Sequence, residues 1–171
     1  GCKNLVVTID VAAAGHRPKD IKNGLAVPPK ITPKSVLQSA LRPAWSIATL
    51  RAGLPQFASI TPYMTNVSNI EDIANYVRTT LKDVVDIDML KVIRDSWQGN
   101  LIVKGINHVD DAMLAIAAGA DGIIVSNHGG RQFDAAQSPA TTLASIKAAV
   151  PGHIVVMADS GVESGVDIAR F

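Results

Sequence analysis

Four short apolar runs, each closing on a polar residue, set the narrowest limit on how this chain folds. They are Leu5-Val6-Val7-Thr8-Ile9, Leu101-Ile102-Val103, Gly122-Ile123-Ile124-Val125 and Ile154-Val155-Val156-Met157. All are short for helices and rich in β-branched residues, as strands buried on both faces are. Helical patterns follow the last three. One spans 109–118, opened by Asp110 and Asp111 and closed at Gly119; one spans 141–150, before Pro151-Gly152; one starts at Gly165. A further helix over 86–97, amphipathic through Ile87, Leu90, Ile93 and Arg94, leads into the second run. Strand, loop, helix, strand in this rhythm predicts an α/β fold with a parallel sheet and outer helices. Asp10, Lys104, Ser126 with His128, and Asp159 follow the four runs in turn. The C-terminal ends of the strands therefore carry the chemistry, as in a (β/α)8 barrel and equally in an open doubly wound sheet. No Gly-x-Gly-x-x-Gly follows a strand, so a dinucleotide fold lacks its fingerprint.

The stretch between the first two runs is of another kind. From Ile21 to Ile70 there is no Asp or Glu, while Lys22, Lys30, Lys34, Arg42 and Arg51 are all cationic. Pro28, Pro29, Pro33, Pro43, Pro55 and Pro62 forbid one long helix. Val36, Leu37, Leu41, Trp45, Ile47 and Leu50 give it an apolar side. We read residues 24–70 as a basic, apolar loop inserted in the domain. Such a segment suits either a cover packed on its own chain or an anionic membrane surface.

Composition removes other classes. A 47% hydrophobic and 18% charged chain of 171 residues is long enough for a real core and argues against disorder. A net charge of +1 and 4% aromatics give no field or stacking surface for nucleic acid. Cys2 is the one cysteine, so there is no internal disulfide and no metal-binding cysteine cluster. A reducing, cytoplasmic setting is expected, or a peripheral one on the inner face of a membrane. The missing initiator Met, and a last helix that stops at Phe171, read as a piece of a longer chain.

His128 lies between Asn127 and Gly129-Gly130, past a buried strand, where glycines let the backbone turn and a ligand approach. A histidine there takes a proton near neutral pH. Asp10 is predicted to pair with it, holding the ring and stabilising the imidazolium. Arg17 and Arg131 are predicted to clamp a carboxylate. Lys104 suits a Schiff base or a fixed charge beside a cofactor, and the residues do not separate these. Asp159-Ser160-Gly161, a small turn before a helix, suits a phosphate or ribityl chain. His16, His108 and His153 lack metal-ligand spacing, and no metal site is expected.

Ser126-Asn127-His128-Gly129-Gly130-Arg131-Gln132 closely resembles the active-site signature of the FMN-dependent 2-hydroxy acid dehydrogenases and oxidases. Three further segments agree in order. Thr8-Ile9-Asp10 with Gly15-His16-Arg17 resembles the family's fourth strand region, Val103-Lys104-Gly105 its fifth, and Asp159-Ser160-Gly161 its seventh. The resemblance implies a partial TIM barrel, about strands four to seven, within residues 1–171. It implies FMN-dependent oxidation of a lactate- or mandelate-type 2-hydroxy acid to the 2-oxo acid. In that scheme His128 accepts the proton, Asp10 partners it, and Arg17 and Arg131 hold the carboxylate. Lys104 lies by the flavin ring, Thr8 and Ser126 contact the flavin, and Asp159 and Gly161 line the ribityl and phosphate side. It further implies a quinone or other electron acceptor and a homo-oligomer when complete. Glu163 departs from the pattern, standing where many relatives carry an Arg. The rivals are another flavin- or phosphate-binding barrel and an inactive truncated product.

Overall fold

The computed structural model describes residues 1–11, 18–24, 32–53, 61–63, 72, 76 and 84–171. It divides into two compact units, Gly1–His16 with Asp83–Phe171, and Arg17–Lys82.

The first unit holds the sheet. Strands β1 (Asn4–Thr8), β2 (Asn100–Ile106), β3 (Gly122–Val125) and β4 (Val155–Ala158) pair in chain order, all parallel. A parallel neighbour needs a crossover, and helices supply it between β2, β3 and β4. In the second unit, α1 (Pro18–Lys22), α2 (Pro33–Ala40) and α3 (Pro43–Ala52) are described. The first unit continues with α4 (Ile87–Ser96), α5 (Val109–Ala117), α6 (Pro139–Ala149) and α7 (Gly165–Arg170). Each start has a local cause. Asp86 caps α4 by accepting from the Met89 amide at 2.9 Å, and Pro139 opens α6. At α5 the cap is His108, whose Nδ1 accepts from the Asp110 amide at 3.2 Å. Asp110 and Asp111 fall in the first turn, where the helix dipole favours them.

Strand pairing puts Val7, Val103, Ile123 and Val156 in one row across the sheet, with Leu5 and Leu101 in the row below. Leu101, Val103, Ile106, Ile123 and Val125 are fully buried and pack with Leu90, Ala112, Ala115 and Ile146 of the helices. Burying a side chain of this size contributes about 1.5–3 kcal/mol, so this layer is the main stabilising element of the unit. The other face differs from the expectation of strands buried on both sides. Its rows run Val6, Ile102, Gly122, Val155 and Thr8, Lys104, Ile124, Met157. Val6 is 48% exposed and Val155 56%, so only the helix-covered face is closed.

Lys104 also differs from its expected place at a strand end. β2 runs on to Ile106 through a register shift between Lys104 and Ile106, where Gly105 has φ +102°. A Cβ on Gly105 would lie 2.6 Å from Asp10 Cγ and 2.9 Å from the Asp10 amide nitrogen, so no side chain fits there without movement.

Within the expected 24–70 segment, the described residues include two helices, each with proline in its first turn, where the missing amide costs nothing. Thr32 caps α2 in a reciprocal box with Ser35. Val36, Leu37, Leu41, Trp45, Ile47 and Leu50 are exposed. Among the described residues no helix is long and apolar enough to cross a membrane.

Candidate active site

The C-terminal ends of the four strands converge on one hydrogen-bonded cluster. Asp10 lies two residues past β1, and its Oδ1 is 3.1 Å from His128 Nδ1. Their side chains are 15% and 27% exposed, so the pair is shielded yet reachable. His128 has φ +56°, and Gly129 and Gly130 follow at +64° and +68°. Three consecutive left-handed residues turn the chain sharply and aim successive amides inward. Two hydroxyls collect those amides. The His128 amide donates to Ser126 Oγ at 3.1 Å, while the Asn127 and Gly129 amides donate to Ser160 Oγ at 3.2 and 3.0 Å.

Lys104 Nζ donates to Ser126 Oγ at 2.9 Å and pairs with Asp159 Oδ2 at 3.0 Å. Burial pushes the Asp159 carboxyl up. Hydrogen bonds from Ser126, Lys104 and Ser160, with the Lys104 charge, outweigh this and hold it below the usual carboxylate range. Ser126 is 1% exposed and is the innermost polar residue of the site.

The loop beyond His128 is tied at its far end. The Gln137 carbonyl accepts from Asn107 Nδ2 at 2.8 Å and from Asn127 Nδ2 at 3.3 Å, and Thr142 Oγ1 donates to Asn107 Oδ1 at 2.7 Å. Sequence reading passes over Asn107, Gln137 and Thr142, because single polar residues outside a motif give no local signal. It also places Ser160 only in a turn.

Among the predicted site residues, Asp10, Lys104, Ser126, His128 and Asp159 come together. Thr8 pairs in register with Lys104 on the half-open face and is exposed. Arg131 is exposed, and its amide donates to the His128 carbonyl at 3.3 Å; no described carboxylate pairs with its guanidinium. Gly161, at φ +86°, lies in the exposed turn after β4. Arg17 and His16 lie outside the described residues. His108 is the helix cap described above, His153 is exposed, and no group of metal-ligating side chains occurs among the described residues.

Three buried acceptors in the site have no donor among the described residues: Asp10 Oδ2, Asn127 Oδ1 and Gln132 Oε1. An unmet buried acceptor costs about 1–3 kcal/mol, so the strand-end site has spare capacity for a ligand's donors. The turn after β4 is different in charge. The Asp167 carboxylate accepts from the Glu163 and Ser164 amides at 3.3 and 3.0 Å and from Ser164 Oγ at 2.7 Å, with Glu163 beside it. The one described cation there, Arg170, lies 3.9 Å from Asp167.

Parallel strands with a His–Asp pair and a lysine at their C-terminal ends define a strand-end site of the kind α/β enzymes use. Comparison with known proteins makes this specific. Residues 1–171 match the FMN-dependent dehydrogenase family, and the chain belongs to it. It is 37% identical to an L-lactate dehydrogenase of Allorhizobium ampelinum and 36% identical to one of Caulobacter vibrioides. Each match covers 100% of this chain and 45% of the relative, so the chain spans about half the length of these proteins. The crystal structure of the monotopic membrane protein (S)-mandelate dehydrogenase superposes with a TM-score of 0.79 at 38% identity, covering 94% of this chain and 42% of that one. A mandelate oxidase with (S)-2-phenylpropionate gives 0.65 at 30% identity, over 99% and 38%. The fold is a partial α/β barrel, whose half-open sheet face corresponds to the barrel interior.

Proposed function

We propose that this chain forms part of an enzyme that oxidises an L-2-hydroxy acid of the lactate or mandelate type to the 2-oxo acid with FMN. The observation that carries the proposal is the 3.1 Å His128–Asp10 pair beside Lys104, in a chain of the FMN-dependent dehydrogenase family. The substrate loses two electrons and two hydrogens; bound FMN would be the sink for the electron pair and one of the hydrogens, and the other leaves as the proton that His128 takes. His128 accepts a proton from the substrate, at the hydroxyl or at the carbinol carbon. In the neutral ring Asp10 accepts from Nδ1–H, which leaves the opposite ring nitrogen free to take the proton, and Asp10 then stabilises the imidazolium that forms. Arg131, with Arg17, holds the substrate carboxylate.

The residues present fit the ring end of FMN. Lys104 would supply a positive charge beside the ring, and Ser126 and Thr8 would supply polar contacts. At the phosphate end, Asp159 and Gly161 supply the turn. The described residues there bring three carboxylates, Asp159 paired with Lys104, and beyond it Glu163 and Asp167, for which Arg170 is the one described countercharge.

A panel of 2-hydroxy acids tests the assignment in the full protein. L-lactate or (S)-mandelate should yield the 2-oxo acid, and the matching 2-hydroxy amides, lacking the carboxylate, should react at least about a hundredfold more slowly. Equal rates for acids and amides would remove the arginine clamp from the account.

For the second unit the reading is attachment to an anionic membrane surface, with transfer of electrons to a quinone or similar acceptor. Leu37, Trp45 and Leu50 are exposed on two helices that also bear Lys34 and Arg51, and Leu41, also exposed, lies with Arg42 in the link between them. The mandelate dehydrogenase neighbour is described as a monotopic membrane protein. Co-sedimentation with anionic vesicles should be lost on deleting residues 30–60; equal binding by both forms would sink the idea.

A further inference from the structure

Ser160 adopts φ +76°, a left-handed conformation that a serine takes at a cost and a glycine takes freely. A residue kept there against that cost is expected to use its side chain, and the hydroxyl is used to capacity. It has one proton and two lone pairs. The proton goes to Asp159 Oδ1 at 3.0 Å, and the lone pairs accept the amides of Asn127 and Gly129 at 3.2 and 3.0 Å. Ser126 Oγ, 3.3 Å away, accepts from Lys104 and from the His128 amide.

The two amides bound by Ser160 flank His128 on either side. His128 is itself left-handed and part of a run of three such residues. Nothing in local backbone preference holds a histidine in that state. Besides the bond from the His128 amide to Ser126, the contacts that hold it come from Ser160, after β4. Asp159 is in turn fixed by Lys104 from β2, so the pin is anchored on two strands rather than on the loop.

We propose that Ser160 is a positioning residue for the proposed reaction: its hydroxyl pins the backbone on both sides of His128 and so holds the imidazole against Asp10. This rests on the reading of His128 as proton acceptor. The charged groups of the site are Asp10 after β1, which contacts the ring, Lys104 on β2, Asp159 after β4 and Arg131 on the loop of His128. The substitution at Ser160 removes none of these charges, though it takes one hydrogen bond from Asp159.

The test compares Ser160→Gly with Ser160→Ala in the full protein. Glycine removes the hydroxyl and relieves the backbone; alanine removes the hydroxyl and keeps the conformational cost. In Ser160→Gly the amides of Asn127 and Gly129 should exchange with solvent about tenfold faster or more, with the β2 and β3 strand amides unchanged. kcat should fall about tenfold with KM within about twofold, as expected when a catalytic group is slightly misplaced. Ser160→Ala should show the same losses with a lower Tm. A purely structural role would instead lower Tm in both variants and leave kcat untouched. Unchanged exchange at Asn127 and Gly129, or faster exchange with unchanged kcat, overturns the inference. If the unmodified protein oxidises no 2-hydroxy acid, the proposed function fails. Amide exchange then still decides whether Ser160 pins the loop.

Discussion

Replacing Gly105 by alanine is expected to damage both stability and the site. Gly105 has φ +102°, and alanine pays about 1–2 kcal/mol to stay in a positive-φ conformation. The added Cβ would stand 2.6 Å from Asp10 Cγ, 2.7 Å from Asp10 Cβ and 2.9 Å from the Asp10 amide nitrogen. Rotating the Asp10 side chain cannot relieve contacts with its own Cβ and backbone, so the chain after β1 must move. Overpacking of this kind costs about 1–3 kcal/mol. The sum is about 2–5 kcal/mol, a large part of the 5–15 kcal/mol of a typical domain. Urea unfolding of the full protein, followed by far-UV circular dichroism, reads this as a lower midpoint at constant slope. Because the displaced residue is the partner of His128, kcat should fall along with stability. A Gly105→Ala protein within about 0.5 kcal/mol of the parent, the range of neutral surface changes, would refute the packing of Gly105 on Asp10.

Two further outcomes follow from the same geometry. Asp159 is held below the usual carboxylate range, so its contribution to stability is present above about pH 4 and lost as pH falls through its folded-state value. The stability gap between the parent and Asp159→Asn should therefore narrow on acidification. It should be modest, since the side chain is 44% exposed and solvent screens the pair; a gap that widened toward low pH would contradict the assignment. Arg94, on the helix before β2, donates to the carbonyls of Trp97, Gly99 and Gly119 and pairs with Asp121 at 3.0 Å. Arg94→Met should cost about 2–4 kcal/mol by leaving these acceptors bare, measured by thermal or urea unfolding, with KM for substrate unchanged.

The four strands were legible because each is a short β-branched run, and the helices because their apolar spacing and stop signals are local. Val109–Ala117 and Ile87–Ser96 fall within a residue or so of the expected ranges. The Asp10–His128 contact was legible for another reason: parallel strands bring their C-terminal ends together, so two strand-end residues 118 apart in sequence become neighbours. The bulge at Gly105 was not, since Leu101-Ile102-Val103 looks complete and nothing in Lys104-Gly105-Ile106 announces that pairing resumes. Ser160 was read only as a small turn residue. Its positive φ and its reach to the loop after β3 depend on where β4 lies beside β3, which is tertiary information. The open sheet face was missed because a run of β-branched residues reports that a strand expects cover on both sides, not which cover this segment supplies.

The central claim is that His128, held by Asp10, removes the proton in 2-hydroxy acid oxidation. Anaerobic stopped-flow reduction of the bound flavin by L-lactate or (S)-mandelate measures that step alone. His128→Gln should slow reduction by about 10²–10⁴-fold, the usual worth of a general base, and Asp10→Asn by less, with FMN affinity unchanged in both. Reduction at the parent rate in His128→Gln would contradict the account.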